Sequence, residues 1–188
     1  MIIKKEKMAR IFIALTPVKE LNDKIIEIKK DLKTGVLKDH SVSWQNNNNH
    51  HITLAFIGIM EPEQIEEMYI NLEKIITVKS KIPLEITSIS LFPNNEGQVL
   101  VANIKPTPQL KKIHLKIEEI INIIGFESHL KTYHPHITLG RFKDKDRAHV
   151  EFLELKEIIK SSVFNIDVYK SEFESGKTTY NLLKTFNC

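Results

Sequence analysis

One tetrapeptide occurs twice in this chain, as His51-Ile52-Thr53-Leu54 and as His136-Ile137-Thr138-Leu139. Both copies lie in short apolar runs rich in β-branched residues and bounded by turn formers, a composition typical of buried strands. Residues two apart in a strand point the same way, so each copy places an imidazole and a hydroxyl on one face. The duplication predicts two matched strands, each presenting one titratable ring and one hydrogen-bond donor.

Strands and amphipathic helices alternate before the first copy. Residues 9–15 have the pattern of a strand, and Thr16-Pro17 predicts a helix cap followed by proline at the first helical position. That helix would end at Gly35. A polar connector with a short strand at residues 42–44 then leads to the first histidine strand.

The middle of the chain continues the alternation. Pro62 opens a second helix, and residues 84–92 and 98–104 predict a hairpin. Thr107-Pro108 repeats the cap-then-proline pattern and predicts a third helix that ends at Gly125.

After the second copy, residues 144–160 predict a charged helix with Phe152, Leu155 and Ile159 facing inward. Residues 164–173 and 178–186 predict a closing hairpin. The order of connector, histidine strand, helix and hairpin would then occur twice, which indicates two lobes related by an approximate two-fold axis. We therefore expect an α+β fold with antiparallel sheets flanked by helices, in one two-lobed domain over residues 8–188, with residues 1–7 as a frayed tail.

Composition excludes several classes of function. The 27 Lys and Arg residues against 24 Asp and Glu give a net charge of only +3, so an extended nucleic-acid-coating surface is not predicted. No apolar run approaches the length that spans a bilayer. The single cysteine, Cys188, cannot form an internal disulfide, and we expect a cytoplasmic protein.

The duplicated residues suit one chemistry. Two imidazoles with an ordinary pKa near 6.5 can act near neutral pH as one base and one acid. Thr53 and Thr138 would each donate a hydrogen bond to an anion with several oxygens, and Arg141 would add a charged donor at the end of the second strand. The pattern predicts in-line attack at the phosphorus of a phosphodiester without a metal.

Other readings of nearby residues remain open. His134 would share a face with His136 if the strand extends past Pro135, giving a possible metal pair, but no third ligand stands at a suitable spacing. His50 should point away from its neighbour. Trp44 and Phe56 could stack on a nucleic-acid base or pack in the core. The other histidines are expected to be solvated: His40, His114, His129 and His149.

With these motifs the chain resembles the RNA 2',3'-cyclic phosphodiesterases, also called bacterial and archaeal 2'-5' RNA ligases (LigT-like), of the two-histidine (2H) phosphoesterase superfamily. The likeness extends from about Met8 to the end of the chain and includes flanking residues in that family's order and spacing. These are residues 10–15, Trp44, Asn49-His50-His51, Phe56-Ile57-Gly58, Leu91-Phe92-Pro93, residues 135–141 and residues 171–180.

The resemblance implies a two-lobed α+β fold with an active-site cleft between the lobes and no cofactor or metal. It implies hydrolysis of a 2',3'-cyclic phosphate on an RNA end or nucleotide to a 2'-phosphate, with reversible 2'-5' ligation as the reverse chemistry. His51 would be the proton donor and His136 the proton acceptor, Thr53, Thr138 and Arg141 would bind the substrate, and the protein would be a monomer. The alternative is a module of the same fold that binds nucleotides or RNA ends without turnover.

Overall fold

A computed structural model of the chain describes residues 9–76, 81–94, 97–127, 132–143, 153–174 and 177–187. The strands are β1 (Ala9–Leu15), β2 (Val42–Trp44), β3 (Ile52–Met60), β4 (Ile82–Phe92), β5 (Val99–Ile104), β6 (His136–Phe142), β7 (Leu153–Val163), β8 (Asn165–Glu174) and β9 (Lys177–Asn187). The helices are α1 (Lys19–Thr34), α2 (Pro62–Ile75) and α3 (Pro108–Ile123), with a short 3-10 turn at Asn47–Asn49.

The nine strands within these ranges belong to one antiparallel sheet in the order β7-β4-β5-β6-β3-β1-β8-β9, with β2 paired to β6. The middle of this order is the junction between β6 and β3, the two strands that carry the duplicated tetrapeptide. Four strands of the order lie on each side of that junction, as expected for two halves built on one plan. The sheet therefore brings together sequence segments that lie far apart along the chain.

Strands β3 and β6 are joined at this junction through one pair of opposite residues. Ile52 of β3 lies opposite Ile137 of β6, the residue that follows the histidine in each copy. Further along β6 the same edge pairs instead with β2, where Trp44 lies opposite Gly140. Strands β3 and β6 thus separate beyond their shared pair, and the connector from β2 to β3 runs across the opening between them.

The residues that alternate with the candidate site residues form the core. Ile52, Leu54, Ile137 and Leu139 are all fully buried, and α3 packs against β3. Burying each such side chain contributes about 1.5–3 kcal/mol. Because side-chain direction alternates along a strand, this anchoring turns the intervening histidines and threonines to the opposite face.

Most element predictions are confirmed, including the short β2, the hairpin of β4 and β5 and the pairing of β8 with β9. Thr107 caps α3 by accepting a hydrogen bond from the Leu110 amide at 3.2 Å. Gly125 follows that helix with φ of 84°, a left-handed conformation that glycine adopts without strain.

The predicted charged helix is wrong for residues 153–160. Residues 144–152, which include Phe152, lie outside the described residues, but Leu153–Val163 is a strand that pairs with β4. Leu155 and Ile159 do pack against the core. Their spacing of four places them on one face of a helix and equally on one face of a strand, so the apolar pattern did not distinguish the two. Among the described residues a strand follows β6, so the predicted second occurrence of histidine strand, helix and hairpin is not found there.

The start of the first helix also differs from the prediction. Helix α1 begins at Lys19 with Val18 as its N-cap, and no side chain caps it. The Thr16 hydroxyl instead donates to Asp167 at 2.5 Å and lies 2.6 Å from the Tyr169 hydroxyl. The Thr16 side chain therefore hydrogen-bonds to residues of β8 and does not cap the helix.

The fold is α+β, as predicted: a curled antiparallel sheet with helices against it. The division into residues 1–7 as a tail and 8–188 as one two-lobed domain stays a prediction, and residues 1–8 lie outside the described residues. No helix among the described residues combines the length and the hydrophobicity needed to cross a bilayer.

Candidate active site

The two tetrapeptides face each other across the junction of the sheet. Because Ile52 lies opposite Ile137 in an antiparallel pair, the same register sets His51 opposite Thr138 and Thr53 opposite His136. All four side chains are half-buried and line one cleft. Residues on a diagonal across such a pair have Cβ atoms roughly 7–8 Å apart. The two imidazoles can therefore reach a single small group from opposite sides.

Both imidazoles are held in the same way. His51 donates from Nδ1 to the Asn49 carbonyl oxygen at 2.8 Å, and His136 donates from Nδ1 to the His134 carbonyl oxygen at 2.7 Å. Each acceptor lies two residues before its histidine. A proton fixed on Nδ1 makes Nε2 the nitrogen that exchanges protons with a ligand.

Aromatic rings contact each histidine. The His51 ring lies 5.0 Å from the Phe12 ring and 5.1 Å, edge to face, from the Tyr180 ring, measured between centroids. The His136 ring lies 4.4 Å from the Phe92 ring. These contacts fix the ring planes and remove water from one side of each imidazole.

This environment changes the proton affinities. Burial lowers the pKa of both imidazoles below their ordinary value of 6.5, and the hydrogen bond to the backbone carbonyl opposes that shift in each case. A positive charge on His136 lowers the pKa of His51 further. Because protonation of one ring disfavours protonation of the other, the pair holds one proton more readily than two.

Arg141 lies at the rim of the cleft, near the end of β6. It is exposed and pairs with Ser43 of β2 and Val99 of β5. The preceding Gly140 allows β2 to approach, since a Cβ at that position would lie 2.7 Å from Val42 Cγ1 and 3.1 Å from the Ser43 carbonyl oxygen. The backbone of Arg141 is thus paired on both sides, with β2 and with β5, and this fixes the position from which its guanidinium extends.

The cleft has a volume of about 1040 Å³. Beyond the five predicted residues, its walls come from β2 and the connector, from the segment before His136, and from the β8–β9 hairpin. These lining residues include Ser43, Trp44, Gln45, Asn46, Asn49, Phe56, Phe92, Val99, Thr132, Tyr133, His134, Phe173, Thr178, Thr179 and Tyr180.

All five predicted site residues line this cleft, and so do Trp44 and Phe56. Trp44 is half-buried against the core, whereas Phe56 is 46% exposed, so Phe56 has the more accessible ring. No cluster of three or more His, Cys, Asp or Glu side chains suited to a metal occurs among the described residues.

The expectation that His114 is solvated is wrong. It is buried on α3, donates from Nδ1 to the Leu54 carbonyl oxygen at 2.8 Å and stacks on Tyr133 with ring centroids 4.0 Å apart. It therefore links the first histidine strand to the segment that precedes the second. His50 is buried and makes its hydrogen bonds away from the cleft, as expected, while His129 and His149 lie outside the described residues.

Sequence comparison identifies the family. The family model described as the 2'-5' RNA ligase superfamily matches residues 14–172 of the chain. This chain belongs to that superfamily. The resemblance to RNA 2',3'-cyclic phosphodiesterases seen in the sequence is confirmed by curated proteins of that name. One from Methanocaldococcus jannaschii is 24% identical over 93% of this chain and 98% of its own. Another, from Thermotoga maritima, is 25% identical over 93% of this chain and 92% of its own.

Several solved structures share the fold of this chain. The protein TT0787 of Thermus thermophilus has a TM-score of 0.81 at 18% identity, covering 95% of this chain and 97% of its own. LigT of E. coli, in a complex with 3'-AMP, has a TM-score of 0.78 at 20% identity, covering 96% of this chain and 98% of its own. The predicted LigT-like architecture is therefore confirmed.

Proposed function

We propose that this protein hydrolyses a 2',3'-cyclic phosphate on an RNA end or nucleotide to a 2'-phosphate, without a metal. One observation carries the proposal: two imidazoles, each with Nδ1 bound to a carbonyl oxygen, flank the narrow junction of the sheet and line one cleft. Opening a cyclic diester requires a proton to leave the attacking water and another to reach the departing oxygen. A matched pair of rings supplies both groups.

The threonines and the arginine would hold the anion. The cyclic phosphate carries one negative charge on two non-bridging oxygens, and the Thr53 and Thr138 hydroxyls lie between the imidazoles on the two strands. Arg141 at the rim adds a positive charge whose planar guanidinium can donate two hydrogen bonds to one phosphate. The bound anion would also raise the pKa of the nearby imidazole that carries the proton, which offsets the effect of burial.

We assign the base to His136 and the acid to His51. The His136 side lies nearer to solvent, where an attacking water is available, whereas His51 is enclosed by Phe12 and Tyr180. Nε2 of His136 would take a proton from water as its oxygen bonds to phosphorus. The bond from phosphorus to the 3'-oxygen then breaks, and His51 gives its Nε2 proton to that oxygen. Proton exchange with solvent restores both rings.

The size and polarity of the cleft support an RNA end as substrate. A volume of about 1040 Å³ lies at the upper limit of pockets that enclose drug-sized ligands, so it accommodates more than a cyclic phosphate and its ribose. Exposed Phe56 and Phe173 offer ring faces at its wall, and bases stack on such faces regardless of sequence. The reverse reaction, in which an RNA 5'-hydroxyl replaces water, would give a 2'-5' linkage.

We further propose that the protein works as a monomer in the cytoplasm. A single chain supplies both histidines, both threonines and the arginine of the cleft. The alternative function is a module that binds nucleotides or RNA ends without turnover.

Phosphorus NMR separates the two functions. The protein is incubated with a nucleoside 2',3'-cyclic phosphate in excess EDTA, and we expect the cyclic signal to be replaced by that of a 2'-phosphate. Saturable binding with no turnover would favour the binding module, and turnover that EDTA abolishes would overturn the metal-independent mechanism. Rates for cyclic mononucleotides and for oligonucleotides with a cyclic end then show which substrate is preferred.

A further inference from the structure

A buried ammonium group lies behind the loop that precedes His51. Lys29 of α1 is 2% exposed, and it is the only lysine among the described residues that is buried. Its Nζ donates to the Gln45 carbonyl oxygen at 2.5 Å, to Asn47 Oδ1 at 2.7 Å and to His50 Nε2 at 3.1 Å. Three acceptors match the three N–H donors of an ammonium group. All three acceptors belong to residues 45–50, which we call the connector loop.

His50 completes this network. It donates from Nδ1 to Asn22 Oδ1 at 2.6 Å, so its Nε2 is free to accept from Lys29. Burial, with the charge of Lys29 and His51 as smaller causes, lowers the pKa of His50 to about 4. Burial, followed by the charge of Lys33, lowers the pKa of Lys29 to about 8. Near neutral pH the ring is therefore neutral and the lysine is still largely protonated, which is the combination that the hydrogen bonds require.

The connector loop controls two contacts of His51. The Asn49 carbonyl oxygen accepts the Nδ1 proton of His51, and Asn49 lies between two residues that Lys29 holds. The Gln45 side chain is hydrogen-bonded to the Tyr180 hydroxyl, and the Tyr180 ring packs edge to face on His51. Both the tautomer and the plane of His51 thus depend on the position of this loop.

His136 has the same kind of backbone acceptor as His51, but a different segment of the chain supplies it. Its acceptor is the carbonyl oxygen of His134, an exposed residue that lies 6.3 Å from Phe92 between ring centroids. The three hydrogen bonds of Lys29 described above do not reach that segment. A change at Lys29 should therefore affect one member of an otherwise matched pair.

We propose that Lys29 is a positioning residue for His51: its buried ammonium fixes the connector loop, and the loop fixes the imidazole tautomer that exchanges protons at Nε2. The inference deepens the proposed function and rests on it for its catalytic meaning. The positioning itself is a property of the free protein. It can therefore be measured without substrate.

The test uses Lys29→Met, which keeps the length of the side chain and removes the donors, with Lys30→Met as the matched control. Lys30 is the next residue of α1 and is exposed. Histidine labelled with nitrogen-15 reports the tautomer of each ring, with His51 and His136 assigned by the loss of their signals in H51Q and H136Q. In Lys29→Met we expect His51 to become a mixture of tautomers while His136 keeps its proton on Nδ1. Lys30→Met should match the wild type.

Kinetics with a nucleoside 2',3'-cyclic phosphate give the second readout. Misplacing a catalytic group by about 1 Å can cost on the order of 10² in rate, so kcat should fall about 10- to 100-fold. KM should change less than kcat, because Thr53, Thr138 and Arg141 are untouched and only the part of the cleft wall formed by the connector loop moves. If the wild type turns over nothing, the proposed function fails, and the NMR result still decides the role of Lys29.

Several outcomes would overturn the inference. A folded Lys29→Met protein with His51 still fully protonated on Nδ1 would do so, and so would equal tautomer changes at His51 and His136, since these indicate general loosening. If Lys29→Met does not fold, Asn47→Ala removes one acceptor at an exposed residue and keeps the buried chain. It should produce a smaller change confined to His51, and an unchanged His51 in that variant would refute the role of Lys29.

Discussion

Replacing the two cleft threonines by valine isolates the phosphate contacts of the proposed site. Valine has nearly the same shape as threonine and suits a strand equally well, so Thr53→Val and Thr138→Val should fold normally. Each variant loses one hydroxyl that lines the cleft and that the proposed function assigns to the phosphate. The surrounding rings and backbone bonds remain in place.

The magnitude follows from the type of hydrogen bond. A bond to a charged group contributes about 1.5–3 kcal/mol, which corresponds to a loss in kcat/KM of about 10- to 150-fold for each variant. The two strands place the hydroxyls at equivalent positions across the register, so the two losses should be similar. If each hydroxyl binds a different phosphate oxygen, the double variant should lose roughly the product of the single losses.

The assay is the initial rate of 2'-phosphate formation from a nucleoside 2',3'-cyclic phosphate, with the melting temperature measured in parallel. Thr87→Val in β4 is the matched control, because Thr87 is a half-buried strand threonine outside the cleft lining. Losses below about twofold in both cleft variants, or an equal loss in the control, would refute the assignment of these hydroxyls. A double variant no worse than either single variant would show that the two hydroxyls act on one oxygen.

Three further predictions concern the histidines and the strand crossing. Replacing His51 or His136 by glutamine should lower kcat by about 10² to 10⁴, and a loss much smaller than that for both would contradict acid–base catalysis. The pKa of His50 in the folded chain, about 4, lies below its unfolded value near 6.5, so its contribution to stability is complete above pH 6.5 and is lost as the pH falls toward 4. The melting temperature should therefore fall less steeply between pH 6.5 and 5 in His50→Gln than in the wild type or in the exposed-site control His134→Gln, and identical slopes would exclude this linkage. Gly140→Ala should displace β2 and raise KM, because the new Cβ would meet Val42 at 2.7 Å and backbone that cannot move aside, and an unchanged KM would show that β2 does not shape the cleft.

The candidate site was largely predictable because its residues repeat. A single histidine beside a threonine is common in strands, but the same tetrapeptide in two strands predicted a matched pair, and His51 and His136 do line one cleft. Strand periodicity also predicted that Ile52 and Leu54 turn to the core, but it placed Phe56 on the same face, and Phe56 is 46% exposed and lines the cleft. The apolar pattern did not predict β7 correctly, because the spacing of Leu155 and Ile159 fits the period of a helix and that of a strand. In the structure this segment is a strand that pairs with the edge of β4.

The residues that hold the site were not predictable. Lys29 and His114 are polar residues on amphipathic helices, where the usual expectation is exposure to solvent, and both are buried. Each is buried because its donors meet carbonyl oxygens or side-chain acceptors supplied by distant segments. Nothing local to either residue indicates those partners.

The sequence by itself determined the local facts: which segments are strands or helices in most cases, which face of each histidine strand is apolar, and that two imidazole–hydroxyl pairs exist. Only the tertiary structure decided that Ile52 lies opposite Ile137, which turns two separate pairs into one site. Local patterns depend on side-chain direction and conformational preference, which a few neighbouring residues fix. Strand register, the burial of Lys29 and the shape of the cleft depend on contacts between residues far apart in sequence, and those contacts form only when the whole sheet does.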